Sequence, residues 1–340
     1  MEHCAVCLGA VSFYSKVDGF SYWHCSDCGF LQLDAQDMAR VDSGEPLVAY
    51  RDGYWNREIK AARERAYSVG VARAAEAILL CRRQVNRFLD IGSGPGLLLD
   101  ALAQYLPTTG VRFDAVELFP PPPEFRTTKP NYHIGELADF APASIDAGIC
   151  VEVLEHLTPS MVTRLLQQLA KVAADDACFV INTGLVDYVR DEDPGYIDPT
   201  GRGHISIWTV AAINHLARPL GLTATAIPGR SWCFILDKTA NATSSGSVPE
   251  RLRSASAANR QALAMPGIGT SAVLLLAEAS MRESAHFANF LERTQWALQM
   301  KAELAVCIAS RAVPEPEPAP EPAPEPEPPA RSFWQRIGRH

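Results

Sequence analysis

Two kinds of apolar pattern alternate along the chain from Arg87 onward. Short runs rich in β-branched and aromatic residues, RFLDI (87–91), RFDAVEL (112–118), SIDAGICVEVL (144–154) and ACFVINT (177–183), read as largely buried strands. Between them, LLLDALAQYL (97–106) and SMVTRLLQQLAKVA (160–173) space their apolar residues at three and four, the period of a helix with one buried face. Strand and helix in turn predict a parallel sheet covered by helices, an α/β fold. GLTATAIPG (221–229) and SWCFILDK (231–238) close the pattern as a hairpin, and the Ala-, Glu- and Arg-rich stretch 57–85 reads as a helix leading into the core.

The two ends follow other patterns. VSFYSKVDGFSYWHC (11–25) is aromatic and β-prone around Asp18-Gly19, a dipeptide that marks a hairpin turn. After Lys238, residues 239–261 read as polar linker and 270–310 as a long helix, in which AVLLLAEAS is too short to span a bilayer. Nine prolines between Pro314 and Pro329 alternate with Glu and Ala, which excludes helix and sheet and predicts an extended spacer of about 50 Å. The final RSFWQRIGRH sets Phe333, Trp334 and Ile337 among Arg331, Arg336 and Arg339, a pattern suited to a partner's groove or an anionic membrane surface.

Composition narrows the class. A chain of 340 residues with 47% apolar content holds one enzyme-sized core plus appendages. Its net charge of −8 works against non-specific attraction to nucleic acid. No run of about 18 apolar residues occurs, and MEHCAVC lacks the basic and apolar regions of a secretion signal, so a cytoplasmic protein is expected.

Four of the nine cysteines fall in the first 28 residues, as CxxC at Cys4 and Cys7 and again at Cys25 and Cys28, with 17 residues between the pairs. That spacing suits a tetrahedral four-cysteine zinc site, whereas a thioredoxin-type pair needs one CxxC opening a helix. A zinc ribbon is therefore expected, its Zn2+ structural because four thiolates leave no open coordination position. His3 and His24 are read as bystanders. The organisation expected is a ribbon at 1–36, linker and leading helices at 37–87, a catalytic core at 88–240, linker and long helix at 241–312, and the proline-rich tail at 313–340.

The chemistry concentrates after the first core strand. FLDIGSGPGLLLDAL is strand, glycine-rich turn and helix, which brings backbone N–H groups and a helix N-terminus against a ligand. Its glycines are Gly92, Gly94 and Gly96, and Leu97 stands where a dinucleotide fingerprint needs its third glycine. Asp90 ends the first strand and Glu117 the second, at the edge of the sheet where such folds bind ligands. This [D/E]xGxGxG string with its second acidic residue resembles the class I S-adenosylmethionine-dependent methyltransferases over roughly residues 60–240. The resemblance implies a Rossmann-like seven-stranded sheet. It also implies S-adenosylmethionine packed on the glycine turn with Asp90 near its amino group, Glu117 on both ribose hydroxyls, and Glu136, in YHIGELADF, beside the adenine.

VEVLEHLTP (151–159) resembles the motif after the fourth strand of the same family. On a helix, Glu152, Glu155 and His156 share one face. In metal-dependent relatives, small-RNA 2′-O-methyltransferases among them, this motif and a later histidine comparable to His204 hold a divalent metal. In others, the same pair caps a helix and shapes the acceptor pocket. Both readings stay open, with a second divalent metal at Glu152, Glu155, His156 and His204 as one of them. His204, in GRGHISIWT, is the main catalytic candidate, with Glu152 and His156 beside it, because methyl transfer needs an aligned acceptor and a base near neutral pKa. Tyr188 and Tyr196 are candidate pocket walls. A ribbon on such a core resembles bacterial methyltransferases of sugar and cell-surface glycan pathways. The acceptor expected is thus a small molecule or glycan, methylated at oxygen or carbon. An RNA acceptor and a non-catalytic scaffold are the alternatives.

Overall fold

The computed structural model describes residues 3–45, 47, 53–107, 109–238, 247–264 and 268–311, with the backbone alone at 268–271 and 309–311. They divide into two units, Met1–Leu291 and Glu292–His340. The proline-rich tail lies outside the described residues.

The first unit opens with β1 (Val11–Val17), β2 (Phe20–Cys25) and β3 (Leu31–Leu33). β1 turns into β2 through Asp18 and Gly19, at φ 51° and 90°, the left-handed values that this dipeptide tolerates. The short α1 (Ala35–Asp42) follows, with Asp34 accepting from the Gln36 N–H as its cap. The helix expected over 57–85 is two segments, α2 (Tyr54–Arg65) and α3 (Val71–Leu80), joined by a π turn at Ala66–Gly70. α3 buries nearly all of its side chains on the sheet.

The core then runs through β4 (Arg87–Ile91), α4 (Leu97–Tyr105), β5 (Arg112–Glu117), β6 (Tyr132–Ile134), β7 (Ile145–Val151), α5 (Pro159–Val172) and β8 (Ala173–Asn182). α6 (Val186–Asp191), β9 (Ser206–Ile207) and α7 (Val210–Ala217) lead to the hairpin of β10 (Leu222–Ala226) and β11 (Cys233–Lys238). The seven-stranded sheet has the order β10-β11-β8-β7-β4-β5-β6, parallel except for the hairpin. At β4 the order reverses, with β5 on one side and β7 on the other, and such a switch point opens a crevice at the carboxyl ends of the strands.

A second sheet joins the two ends of this topology. Its order is β1-β2-β3-β9, so the N-terminal ribbon completes itself with a strand from the core's last long loop. Phe30 and Trp208 pack with ring centres 4.4 Å apart across that junction.

The stretch read as linker after Lys238 is partly helical. It carries α8 (Val248–Arg253) and α9 (Ala257–Leu263), because its polar residues are buried partners and not a solvated surface. Arg251 is 2% exposed and holds Asp237 through two bonds of 2.8 and 2.5 Å. Buried Asn259 donates at 2.9 Å to the carbonyls of Ile78, Cys81 and Arg83. α10 (Ile268–Arg311) occupies the region expected to be a long helix. Ala277, Met281, Ala285 and Ala288 are buried within the first unit, and in the second unit every side chain described from Glu292 to Ile308 is exposed.

Candidate active site

The glycine turn stands at the switch point. Gly92 takes φ 68°, and a Cβ there would lie 2.5 Å from Val153 Cγ2, so neither the conformation nor the space admits another residue without a shift. At Gly94, φ 54°, an added Cβ would meet nothing within 4 Å, so the turn faces open space. Glu117 shapes the turn from β5: one carboxylate oxygen accepts from the Gly94 N–H at 2.7 Å and the other from the Phe119 N–H at 2.8 Å. Tyr132 closes the other side, its hydroxyl donating to the Gly94 carbonyl at 2.6 Å.

Asp90 is 5% exposed at the end of β4, and burial followed by the Glu117 carboxylate pushes it up to about 7. Burial raises Glu117 as well. Two carboxylates crowded beside an open turn favour a cationic or hydroxyl-bearing ligand, which would relieve both. Glu136 is placed differently: Arg164 and Gln168 of α5 occupy its two oxygens at 2.5 and 2.6 Å.

Beyond the ends of β7 and β8 lies a second cluster. Glu152, Glu155 and His156 do not share an α-helix as their spacing suggested. Glu152 takes a left-handed φ of 53°, and a single 3-10 turn at Leu154–His156 carries the other two. The chain turns sharply here because the Glu152 N–H is held by the Asn182 carbonyl at 2.8 Å and the Trp208 indole donates to the Leu154 carbonyl at 2.8 Å. Glu155 is fully buried; one oxygen accepts from the Thr183 hydroxyl at 2.8 Å, while the other has no hydrogen-bond partner among the described residues. Glu152, at the solvent-facing side, accepts from Asn182 Nδ2 at 3.0 Å and the Tyr196 hydroxyl at 3.2 Å.

His204 joins this cluster from the long loop after β8, with its ring centre 5.0 Å from that of His156 and 4.2 Å from that of Tyr196. Its Nδ1 lies 2.6 Å from the Tyr196 carbonyl, and His156 Nδ1 lies 3.2 Å from the Gly203 carbonyl. A carbonyl only accepts, so each Nδ1 carries the proton and each Nε2 keeps a lone pair. Burial, reinforced by His156, lowers His204 to about 4, and burial also lowers His156, so both rings stay neutral at physiological pH and His204 is a weaker base than the near-neutral one expected from the sequence. Ligand atoms of Glu155, His156 and His204 all lie within 4.8 Å of one another. Desolvation first and the carboxylate partner second raise Glu152, and desolvation raises Glu155.

The four ribbon cysteines also converge. Cys4 and Cys28 Sγ are 3.7 Å apart, Cys7 and Cys25 Sγ are 3.4 Å apart, and the whole set lies within 4.8 Å. Tetrahedral thiolates about 2.3 Å from Zn2+ would sit at about this mutual separation, so the set fits a structural zinc.

Residues 59–227 match the family model described as a methyltransferase domain. The chain therefore carries a methyltransferase domain. The comparison with curated proteins returned no match. Among solved structures, an S-adenosylmethionine-dependent methyltransferase from Archaeoglobus fulgidus shares 21% identity, covering 50% of this chain and 75% of its own, with a TM-score of 0.40. CalS10, an amino pentose methyltransferase from Micromonospora echinaspora, shares 16% identity over 56% of this chain and 98% of its own, at 0.41. The 1,6-didemethyltoxoflavin-N1-methyltransferase of Burkholderia thailandensis shares 16% over 66% and 97%, at 0.37.

In this methyltransferase domain the candidate residues fall into two groups. Asp90, Gly92, Gly94, Gly96 and Glu117 surround the turn, and Glu152, Glu155, His156, Tyr196 and His204 form the neighbouring cluster. Tyr188 touches the second group through Tyr196, edge-on at 5.4 Å. Thr183, Asn182, Trp208 and Tyr22 also build the cluster and were not singled out from the sequence. Nothing in their local patterns marks them, because each acts through a contact distant along the chain.

Proposed function

We propose that this protein transfers the methyl group of S-adenosylmethionine to oxygen or carbon of a small-molecule or glycan acceptor, a sugar or cell-surface polysaccharide intermediate. The observation that carries this reading is the adjacency of the open Gly94 turn, flanked by Asp90 and Glu117, to the Glu152–His204 cluster across the carboxyl ends of β4 and β7. In the proposed complex, Asp90 faces the cofactor's amino group and Glu117 its ribose hydroxyls. When bound, the cofactor supplies an electrophilic methyl. The acceptor enters over Glu152 and His156, and His204 Nε2, holding a lone pair, takes its proton. Glu136 stands beside the adenine, where its carboxylate exchanges Arg164 or Gln168 for the base. The net charge of −8 favours a glycan over RNA.

A second reading adds a divalent cation. It is favoured by the buried Glu155 oxygen that has no hydrogen-bond partner among the described residues and lies 3.9 Å from His156 Nε2, with a ligand atom of His204 also within 4.8 Å of the group. Two histidines and a carboxylate, with Glu152 beside them, suit a hard or borderline cation, whose charge would relieve the crowded carboxylates. The four cysteines hold Zn2+ in both readings. The tail recruits the enzyme to a partner or to the inner face of a membrane from the cytoplasm; among the described residues no helix is long and apolar enough to cross one.

Calorimetry with S-adenosylmethionine, followed by transfer of labelled methyl to panels of nucleotide-sugars, glycans and RNA, tests the function. Submillimolar cofactor affinity and labelling confined to sugars support it. No cofactor binding by zinc-loaded protein would leave a scaffold, and labelled RNA would replace the acceptor.

A further inference from the structure

The loop bearing His204 has its own small core, and half of that core is the ribbon. Val186, Val189, Tyr196, Ile197 and Ile205 of the loop pack with Tyr22, Leu31, Leu33 and Met38 of the N-terminal segment, apart from the two larger clusters around the main sheet. Backbone pairing continues the connection: Leu31 opposes Ile207, Gln32 opposes Ser206, and the Leu33 N–H donates to the Ile205 carbonyl at 3.2 Å.

His204 is gripped at every backbone and ring donor or acceptor except Nε2. Its N–H donates to the Asp198 carbonyl at 3.1 Å, its Nδ1–H to the Tyr196 carbonyl at 2.6 Å, and the next N–H, of Ile205, to the Glu155 carbonyl at 2.8 Å. The remaining group, the His204 carbonyl, accepts at 2.5 Å from the hydroxyl of Tyr22, which is fully buried. Tyr22 lies on β2, three residues before Cys25 of the cysteine cluster. Two bonds tie this stretch to the turn after β7, from the Ile205 N–H to the Glu155 carbonyl and from His156 Nδ1–H to the Gly203 carbonyl; the ribbon contributes the grip on the His204 carbonyl itself.

We propose that Tyr22 is a positioning residue for the acceptor half of the site, fixing the peptide that carries His204 so that its imidazole stands beside His156 and Glu155. This rests on the methyltransferase reading and deepens it: the ribbon is a wall of the acceptor site, and the folding of the four-cysteine cluster is read out at His204. The cofactor turn is built from β4 and β5, whose Leu89, Ile91 and Val116 share a core cluster with Cys4, Cys25, Cys28 and Phe30, so Tyr22→Phe, and not loss of zinc, is the change that leaves the turn undisturbed.

The test uses the full chain, zinc-loaded, with Tyr22→Phe, which keeps the buried ring and removes only the hydroxyl. Nitrogen-labelled histidine gives an imidazole N–H signal for His204, assigned with His204→Gln and slowed in exchange by burial and its bond to Tyr196. In Tyr22→Phe that exchange should quicken about tenfold, with zinc content unchanged and S-adenosylmethionine affinity within twofold. With the acceptor identified by the labelling panel, kcat should fall about tenfold while KM for the cofactor stays fixed. In wild-type protein, chelating the zinc should produce the same imidazole change. Unchanged imidazole exchange in both the variant and the chelated protein overturns the proposal. Loss of cofactor affinity in step with turnover also overturns it, because Tyr22 would then support the whole fold. Failure of the methyltransferase reading appears separately, as absent cofactor binding in wild-type protein.

Discussion

The half of the site proposed for the cofactor and the half proposed for the acceptor are built in opposite ways. Asp90 to Gly96 is a single turn of chain, fixed by one strand and one helix, and Glu117 reaches it from the adjacent strand through the Gly94 N–H. The acceptor half gathers Glu152 to His156, Asn182, Thr183, Tyr196, His204 and Trp208 from four segments and secures them with contacts to residue 22 and the strand at 31–33. A local device tolerates change elsewhere in the molecule. An assembled one fails when any contributing segment moves, and it can be altered for a new acceptor without disturbing the cofactor.

The largest effect that should separate the halves comes from the cysteine cluster. Cys25→Ser with Cys28→Ser should release about one zinc per chain and cost the ribbon on the order of 10 kcal/mol of metal-linked folding energy. Metal analysis should show the zinc lost, and hydrogen exchange should show residues 183–207 losing far more protection than 87–97, where Leu89 and Ile91 share a core cluster with the cysteines. Equal loss across both would erase the distinction.

Next in size is His204→Ala. Turnover on an identified acceptor should fall about 10²- to 10⁴-fold, the usual contribution of a positioned proton acceptor. Cofactor affinity by calorimetry should not change. Parallel losses in both quantities would place His204 in the supporting structure instead.

Glu117→Ala strikes the other half. It should weaken S-adenosylmethionine by about 1.5–3 kcal/mol, the range for hydrogen bonds to a charged group, or roughly 10- to 150-fold in the dissociation constant. Imidazole signals of His156 and His204 should stay in place, and a shift in them would show that the halves communicate.

The smallest effect is a pH dependence. Asp90, raised from its ordinary 3.8 to about 7, is mainly protonated in the free protein below that pH. The cofactor's cationic amino group favours the ionised form, so affinity should fall about tenfold between pH 8 and pH 6 and be level above pH 8. For the free protein the sign is opposite: the fold favours the protonated group, so its contribution to stability declines as pH rises from 3.8 through 7. Asp90→Asn should flatten the binding profile, and an unchanged slope would assign the titration to another group.

The contrast also explains what could be read before the structure. Period and turn chemistry marked the parallel strands, the closing hairpin, the Asp18-Gly19 turn and the glycine turn, because each is written in consecutive residues obeying one backbone geometry. Even the cysteine cluster was legible, since two hairpin-linked CxxC pairs have few ways to meet. Spacing misled at Glu152–His156, where an α-helix was expected, because Asn182 and Trp208 impose a left-handed residue and one 3-10 turn from outside the segment. It misled again at 247–261, where polar Arg251 and Asn259 suggested a solvated linker but are buried as partners of Asp237 and the backbone before Val85; 239–246 lie outside the described residues. By itself the sequence determined the sheet, the cofactor turn and the four-cysteine set, all products of local pattern. Only the tertiary structure decided that the ribbon borrows β9 from the core, that Tyr22 holds His204, and that Glu155 is buried with an oxygen unpaired. Those facts depend on contacts between residues up to 182 positions apart, which no local periodicity encodes.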